Sequence, residues 1–135
     1  MGKIALLELL LGANEDNDSS AIKKLKPQPL TKPESDGDRF ECSLDIAGVQ
    51  YADIYAVRNI SVGNTVLFLP EPENRYDKNA VMVLDARGHK LGYIPKWANR
   101  QLLKDIGSAD VYGIVNRTEP DIKFISIDLW IKAED

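Results

Sequence analysis

The chain has one histidine and one cysteine, His89 and Cys42, among its 135 residues, and that scarcity narrows its chemistry before any pattern is considered. A single cysteine excludes an internal disulfide and a clustered-cysteine zinc site; in an alternating apolar stretch it reads as a small core side chain. His89 has no second histidine, no cysteine and no ordered carboxylate spacing nearby, so it reads as a hairpin-loop residue. A phosphate-cradling glycine loop is also missing, as is any Ser-His or Cys-His arrangement. These absences predict no catalytic residue, no metal and no cofactor. Long hydrophobic runs are lacking too. The leucine-rich start holds Ile4, Leu6, Leu7, Leu9, Leu10 and Leu11, but Glu8 interrupts it, no small-residue cleavage site follows, and it is too short to span a bilayer. The expectation is a cytoplasmic protein without a membrane role.

An excess of positive charge is absent as well: the net charge is −4. Coating nucleic acid by bulk electrostatics is thereby disfavoured, because that affinity grows with the number of phosphates neutralised. The charge is uneven, however. From Ala86 to Lys104 the sequence carries Arg87, Lys90, Lys96, Arg100 and Lys104, no acidic residue, and the interleaved aromatics Tyr93 and Trp97.

A chain of this length accommodates one domain plus a modest appendage and can bury its own core. Residues 1–38 form the appendage: the leucine run, a polar stretch from Asn14 to Ser20, Lys23, Lys24 and Lys26, then Pro27, Pro29 and Pro33. Such composition reads as a tether, with the leucine run a short helix that docks on the domain or on a partner. Residues 39–135 are patterned for strands. Phe40, Cys42, Leu44 and Ile46 alternate with polar residues, and Tyr51–Val57 is β-compatible. Asn64–Leu69 ends at Pro70, and Val81–Leu84 and Lys90–Ile94 flank a Gly88 hairpin. Pro95 opens the one clear helix, with Ala98, Leu102, Leu103 and Ile106 at helical spacing before Gly107; Trp97 is expected to pack between helix and barrel. Asp110–Asn116 and Lys123–Ile131 complete the strands. The fold expected is mainly β, a small OB-like or SH3-like barrel of about six strands with one or two helices.

The segment from Glu71 to Ala80, EPENRYDKNA, is the densest in information. Its residues alone leave two readings open: a turn whose Asn and Asp satisfy local amides, or an aromatic platform, Tyr76, beside an acceptor, Asp77. Three landmarks, Ile46-Ala47-Gly48-Val49-Gln50-Tyr51, then Glu71–Ala80, then Lys90-Leu91-Gly92-Tyr93-Ile94-Pro95, occur in the order found in HIRAN domains, and the chain resembles that family from Phe40 to Ile131. HIRAN domains occur as N-terminal modules of Swi/Snf-type DNA remodelling proteins and as small bacterial and phage proteins.

The resemblance implies an OB-like barrel that captures the 3′ end of single-stranded DNA in DNA repair or processing. Carried over by position, Tyr51 and Tyr76 would hold the terminal base between their rings and Asp77 would accept from the 3′-hydroxyl. Asn74 would sit at the same pocket, and Tyr93 and Lys96 would contact the strand. Arg75, Lys78 and Arg100 are further phosphate-contact candidates. The chain departs from the pattern at Arg75, usually proline, at Gln50, where the eukaryotic DNA-binding relative has arginine, and at Ala52, in place of a second tyrosine. A different class of function stands beside this one: a protein-interaction module without nucleic-acid binding, in which the barrel with an exposed sheet edge and the leucine-rich helix of residues 4–11 recruit a partner or a second copy. A third, a small hydrolase acting on nucleotides or nucleic acid, lacks a general base and nucleophile pair.

Overall fold

The computed structural model describes residues 27–134, and the leucine run and the lysines of residues 23–26 lie outside them. Six strands, β1 (Arg39–Asp45), β2 (Thr65–Pro70), β3 (Val81–Leu84), β4 (Lys90–Tyr93), β5 (Val111–Glu119) and β6 (Phe124–Ile131), accompany two helices, α1 (Ile54–Asn59) and α2 (Lys96–Ser108). All strand pairs are antiparallel, in the order β1-β6-β5-β2-β3-β4. The sheet curls into a half-barrel, as the strand pattern predicts.

Its two edges meet at one point. Beyond β1, Ile46 N donates to Ile125 O, still following β6 (2.9 Å), whereas Ala47 N donates to Tyr93 O and Tyr93 N to Ala47 O, each at 2.8 Å. The first strand of the sheet order thus continues into a bridge with the last. Gly92 permits this contact: its φ is +149°, and a Cβ there would overlap Ala47 O and lie 2.6 Å from Ile46 Cγ2.

The interior is filled by Leu44, Ile46, Val66, Val81, Val83, Leu91, Val115, Ile125, Ile127 and Leu129, with Val57 of α1 and Ala98 and Leu102 of α2 sealing it. The alternation in β1 is broken by a register shift between Phe40 and Cys42. A bulge turns a strand's later side chains to the other face. Accordingly Leu44 enters the core, while Phe40 packs on the outer side with Trp130, ring centroids 5.6 Å apart.

Two local expectations are corrected. Tyr51–Val57 is not a strand: a 3-10 turn, Val49–Tyr51, is followed by α1, whose N-cap Asp53 accepts from Tyr55 N and Ala56 N. A capping carboxylate satisfies the orphan amides of a first turn, and it outweighs the β preference of Ile54, Tyr55 and Val57. Trp97 does not pack against the barrel but is 71% exposed, because the inward face of α2 is taken by Ala98, Asn99 and Leu102.

Residues 30–38 lie across the outer face of the sheet, held by hydrogen bonds. Asp128, fully buried on β6, accepts from Leu30 N, Thr31 N and Thr31 Oγ1 through Oδ2, and from Ser43 Oγ and Asn116 Nδ2 through Oδ1, at 2.6–2.9 Å. Burial would raise its pKa, but the bonds from Ser43, Thr31 and Asn116 outweigh burial and hold it below the usual carboxylate value. Farther along, Glu34 N donates to Tyr112 Oη, which donates in turn to Asp38.

Candidate nucleic-acid interface

The loop between β2 and β3 is stapled by its own side chains. Glu71 N donates to Ala80 O across its neck (2.9 Å). Asn74 Oδ1 accepts from Tyr76 N (2.9 Å) and Asp77 N (3.0 Å), Asn74 Nδ2 donates to Glu71 Oε1 (3.1 Å), and Asp77 Oδ1 accepts from Asn79 N (2.9 Å). Asparagine and aspartate build such loops because their side chains imitate a backbone turn. The turn reading of this segment is therefore realised in full. Its product is Tyr76, 88% exposed on a loop whose backbone is already fixed. The Arg75 guanidinium stands 5.9 Å from the Tyr76 ring centroid, within cation–π range.

Strand β4 ties this loop to the 3-10 turn. Tyr93 Oη donates to Glu71 Oε1 at 2.8 Å, Lys90 Nζ lies 4.5 Å from the Tyr93 ring centroid, and the backbone of Tyr93 forms the bridge to Ala47. The turn that follows Ala47 ends at Tyr51, 82% exposed. Between the loop and Tyr93 is an open groove of about 410 Å³ lined by Glu71, Pro72, Glu73, Asn74, Arg75, Tyr76 and Tyr93.

Tyr51 and Asp77 do not line that groove. Asp77 instead engages α2, its Oδ2 accepting from Asn99 Nδ2 at 2.9 Å. Lys96, the first residue of α2, and Arg100, one turn on, are exposed beside Asn99, as is Lys78 in the loop. Of the positions singled out from the sequence, Asn74, Arg75, Tyr76 and Tyr93 thus share one groove. Asp77 and Lys96 are joined to it through loop and helix, and Tyr51 ends the 3-10 turn that follows the Ala47–Tyr93 bridge, outside the groove.

Two residues of this network were absent from the sequence expectations. Glu71 accepts from both Tyr93 and Asn74, a role its position before a proline does not signal. Asn99 did leave a signal: it lies three positions before Leu102 and seven before Ile106, a polar residue on an apolar helix face. His89 sits in the β3–β4 hairpin as expected, its Nδ1 3.1 Å from Asp85 Oδ2. Among the described residues, no group of three or more His, Cys, Asp or Glu could hold a metal, and no helix is long and apolar enough to cross a membrane.

A sequence model of the HIRAN domain family matches residues 40–134. The chain belongs to the HIRAN family. Its HIRAN domain superposes on a crystal structure of a protein from Lactobacillus plantarum with a TM-score of 0.62 at 31% identity, covering 70% of this chain and 97% of that one. The crystal structure of the HIRAN domain of human HLTF gives 0.56 at 22% identity, over 70% of this chain and 78% of that one. The NMR structure of the HLTF HIRAN domain in its DNA-bound conformation gives 0.53 at 23%, over 75% and 84%. At these identities the two HLTF structures speak for the fold alone. A Fanconi-associated nuclease 1 homolog of Arabidopsis thaliana is 30% identical over 82 residues, 61% of this chain but 9% of that protein.

Proposed function

We propose that this HIRAN domain is a binding module, not an enzyme, that takes the 3′ end of single-stranded DNA, in the cytoplasm, during DNA repair or processing. In this reading Tyr51 and Tyr76 hold the terminal base between their rings, and Asp77 accepts a hydrogen bond from the terminal 3′-hydroxyl. Tyr93 and Lys96 contact the strand, Asn74 sets the loop, and Arg75, Lys78 and Arg100 meet phosphates. The observation that carries it is Tyr76: a ring 88% exposed, on a loop closed by its own hydrogen bonds, directly before a carboxylate with both oxygens engaged. Stacking accepts any base, and a pre-ordered platform keeps the gain that ordering a loose loop would consume. Asp77 uses one acceptor site on each oxygen, which leaves one on each for a hydroxyl, while its charge opposes a terminal phosphate. Membership of the HIRAN family and the fold shared with a HIRAN domain studied in a DNA-bound conformation support this assignment.

Fluorescence anisotropy with otherwise identical strands ending in a 3′-hydroxyl or a 3′-phosphate is the test. The hydroxyl strand binds more tightly in this reading. Equal affinity removes end recognition, and no binding of either strand at low salt removes the DNA reading.

A second reading, a protein-interaction module that uses the barrel together with residues 4–11 and binds no nucleic acid, draws on Leu67 and Leu69, 46% and 49% exposed on one side of β2 of the barrel. Light scattering on the full chain and on a form lacking residues 1–26 separates the two. The cut falls after Lys26 because Leu30 and Thr31 supply donors to Asp128.

A further inference from the structure

Asn99 is buried to 3% on the inward face of α2, among Ala98 and Leu102. A buried amide is costly in apolar surroundings unless it is hydrogen-bonded, and leucine, close in size, would fill the space without that cost. Its side chain donates to Asp77 Oδ2 at 2.9 Å, reaching 22 residues back along the chain to the loop that carries Tyr76. Asp77 Oδ1 is held independently by Asn79 N at 2.9 Å. Two donors from different elements fix the carboxylate plane, whereas the Asn79 bond alone leaves it free to rotate about one contact. Lys96, on the helix that Asn99 belongs to, is three residues earlier and exposed.

From this geometry we infer that Asn99 is the positioning residue for end recognition. It holds Asp77 in the orientation that accepts a terminal hydroxyl and sets its distance from the phosphate-contacting start of α2. The inference rests on the 3′-end reading above. It assigns discrimination between strand ends to a residue that does not touch the strand, and it separates that discrimination from affinity, which belongs to the tyrosines and the basic side chains.

The test is the ratio of affinities for 3′-hydroxyl and 3′-phosphate strands, measured on the full chain, with Asn99→Leu and Asn99→Ala. Losing the aim of one charge-assisted hydrogen bond reduces the ratio by about tenfold. Asn99→Leu is expected to change the melting temperature little, because the apolar surface that leucine buries offsets the lost hydrogen bond to Asp77. A purely structural Asn99 gives the opposite pattern: a lower melting temperature and an unchanged ratio. An Asn99→Leu or Asn99→Ala protein that folds and keeps the wild-type ratio overturns the inference, and so does a failure of both to fold. A wild-type protein that shows no preference between ends refutes the 3′-end reading itself, a result distinguishable from either of these.

Discussion

Replacing Gly92 with alanine tests the closure of the barrel and the assembly of the site together. The new Cβ would overlap Ala47 O and come within 2.6 Å of Ile46 Cγ2, at a φ of +149° that side chains rarely adopt. The strained backbone costs roughly 1–3 kcal/mol. Relief of the overlap separates Ala47 from Tyr93, whose two mutual hydrogen bonds of 2.8 Å are worth about 0.5–1.5 kcal/mol each. The sum, about 2–6 kcal/mol, is a large share of the roughly 5–15 kcal/mol that holds a domain of this kind folded. Gly88, at the tip of the hairpin with φ +87° and nothing within 4 Å of a Cβ, isolates the backbone term. Urea unfolding of Gly92→Ala and Gly88→Ala should therefore differ by about 1–3 kcal/mol, the share of the two broken bonds. Because the bridge precedes the turn that ends at Tyr51, only Gly92→Ala should also weaken strand binding. A Gly92 variant no less stable than the Gly88 variant would refute the role given to this bridge.

Further outcomes follow from single side chains. Tyr76→Ala should lower affinity for a short single strand by about 5- to 150-fold, the equivalent of roughly 1–3 kcal/mol of stacking. At 88% exposure it should leave the urea midpoint unchanged; an unchanged affinity would remove Tyr76 from the interface. Asp128 has a folded pKa below its unfolded value, so its contribution is complete above the unfolded pKa of about 3.9 and is lost as pH falls through the folded one. Acid titration followed by circular dichroism should show part of that loss missing in Asp128→Asn. Asp128→Ala should be the less stable of the two at neutral pH, because its five donors lose their acceptor. Burial first, then the negative charges of Glu41, Asp105 and Asp128, pushes the Cys42 thiol up to about 11. Its alkylation at pH 8 should lag far behind that of a free thiol, and labelling at the free-thiol rate would contradict the packing of β1.

The sequence shows most where one local force acts alone. The β3–β4 hairpin and α2 were legible because Gly88, Pro95 and the spacing of Leu102 and Ile106 each act through backbone preference or a single apolar face. Tyr51–Val57 misleads because β-branched and aromatic residues suit a strand, while one residue, Asp53, decides for a helix. In β1 the even alternation hides a bulge, since the partner that receives Phe40, Trp130, lies 90 positions away. The candidate site divides in the same manner. Tyr76 and Asp77 were visible as residue types on a loop, and Tyr93 and Lys96 through the family resemblance. Glu71 and Asn99 act through bonds to residues 22 positions distant, which no local pattern records.

The three segments that mark the family in the sequence are far apart along the chain but meet at β4. The first, residues 46–51, reaches it by the Ala47–Tyr93 bridge; the second, residues 71–80, by Tyr93 Oη and Glu71; the third is β4 with the start of α2. Tyr93 therefore serves one segment with its backbone and another with its hydroxyl, and Gly92 beside it makes the first approach sterically possible. The family match runs through strands β5 and β6 as well, but these three segments are the ones that converge on β4. Apolar residues of many kinds fill a core, so strand sequences can drift while the fold holds. A junction where backbone and side chain must both meet partners at fixed geometry tolerates far fewer residues. The candidate interface is built on that junction, so the residues that close the barrel also place the exposed tyrosines.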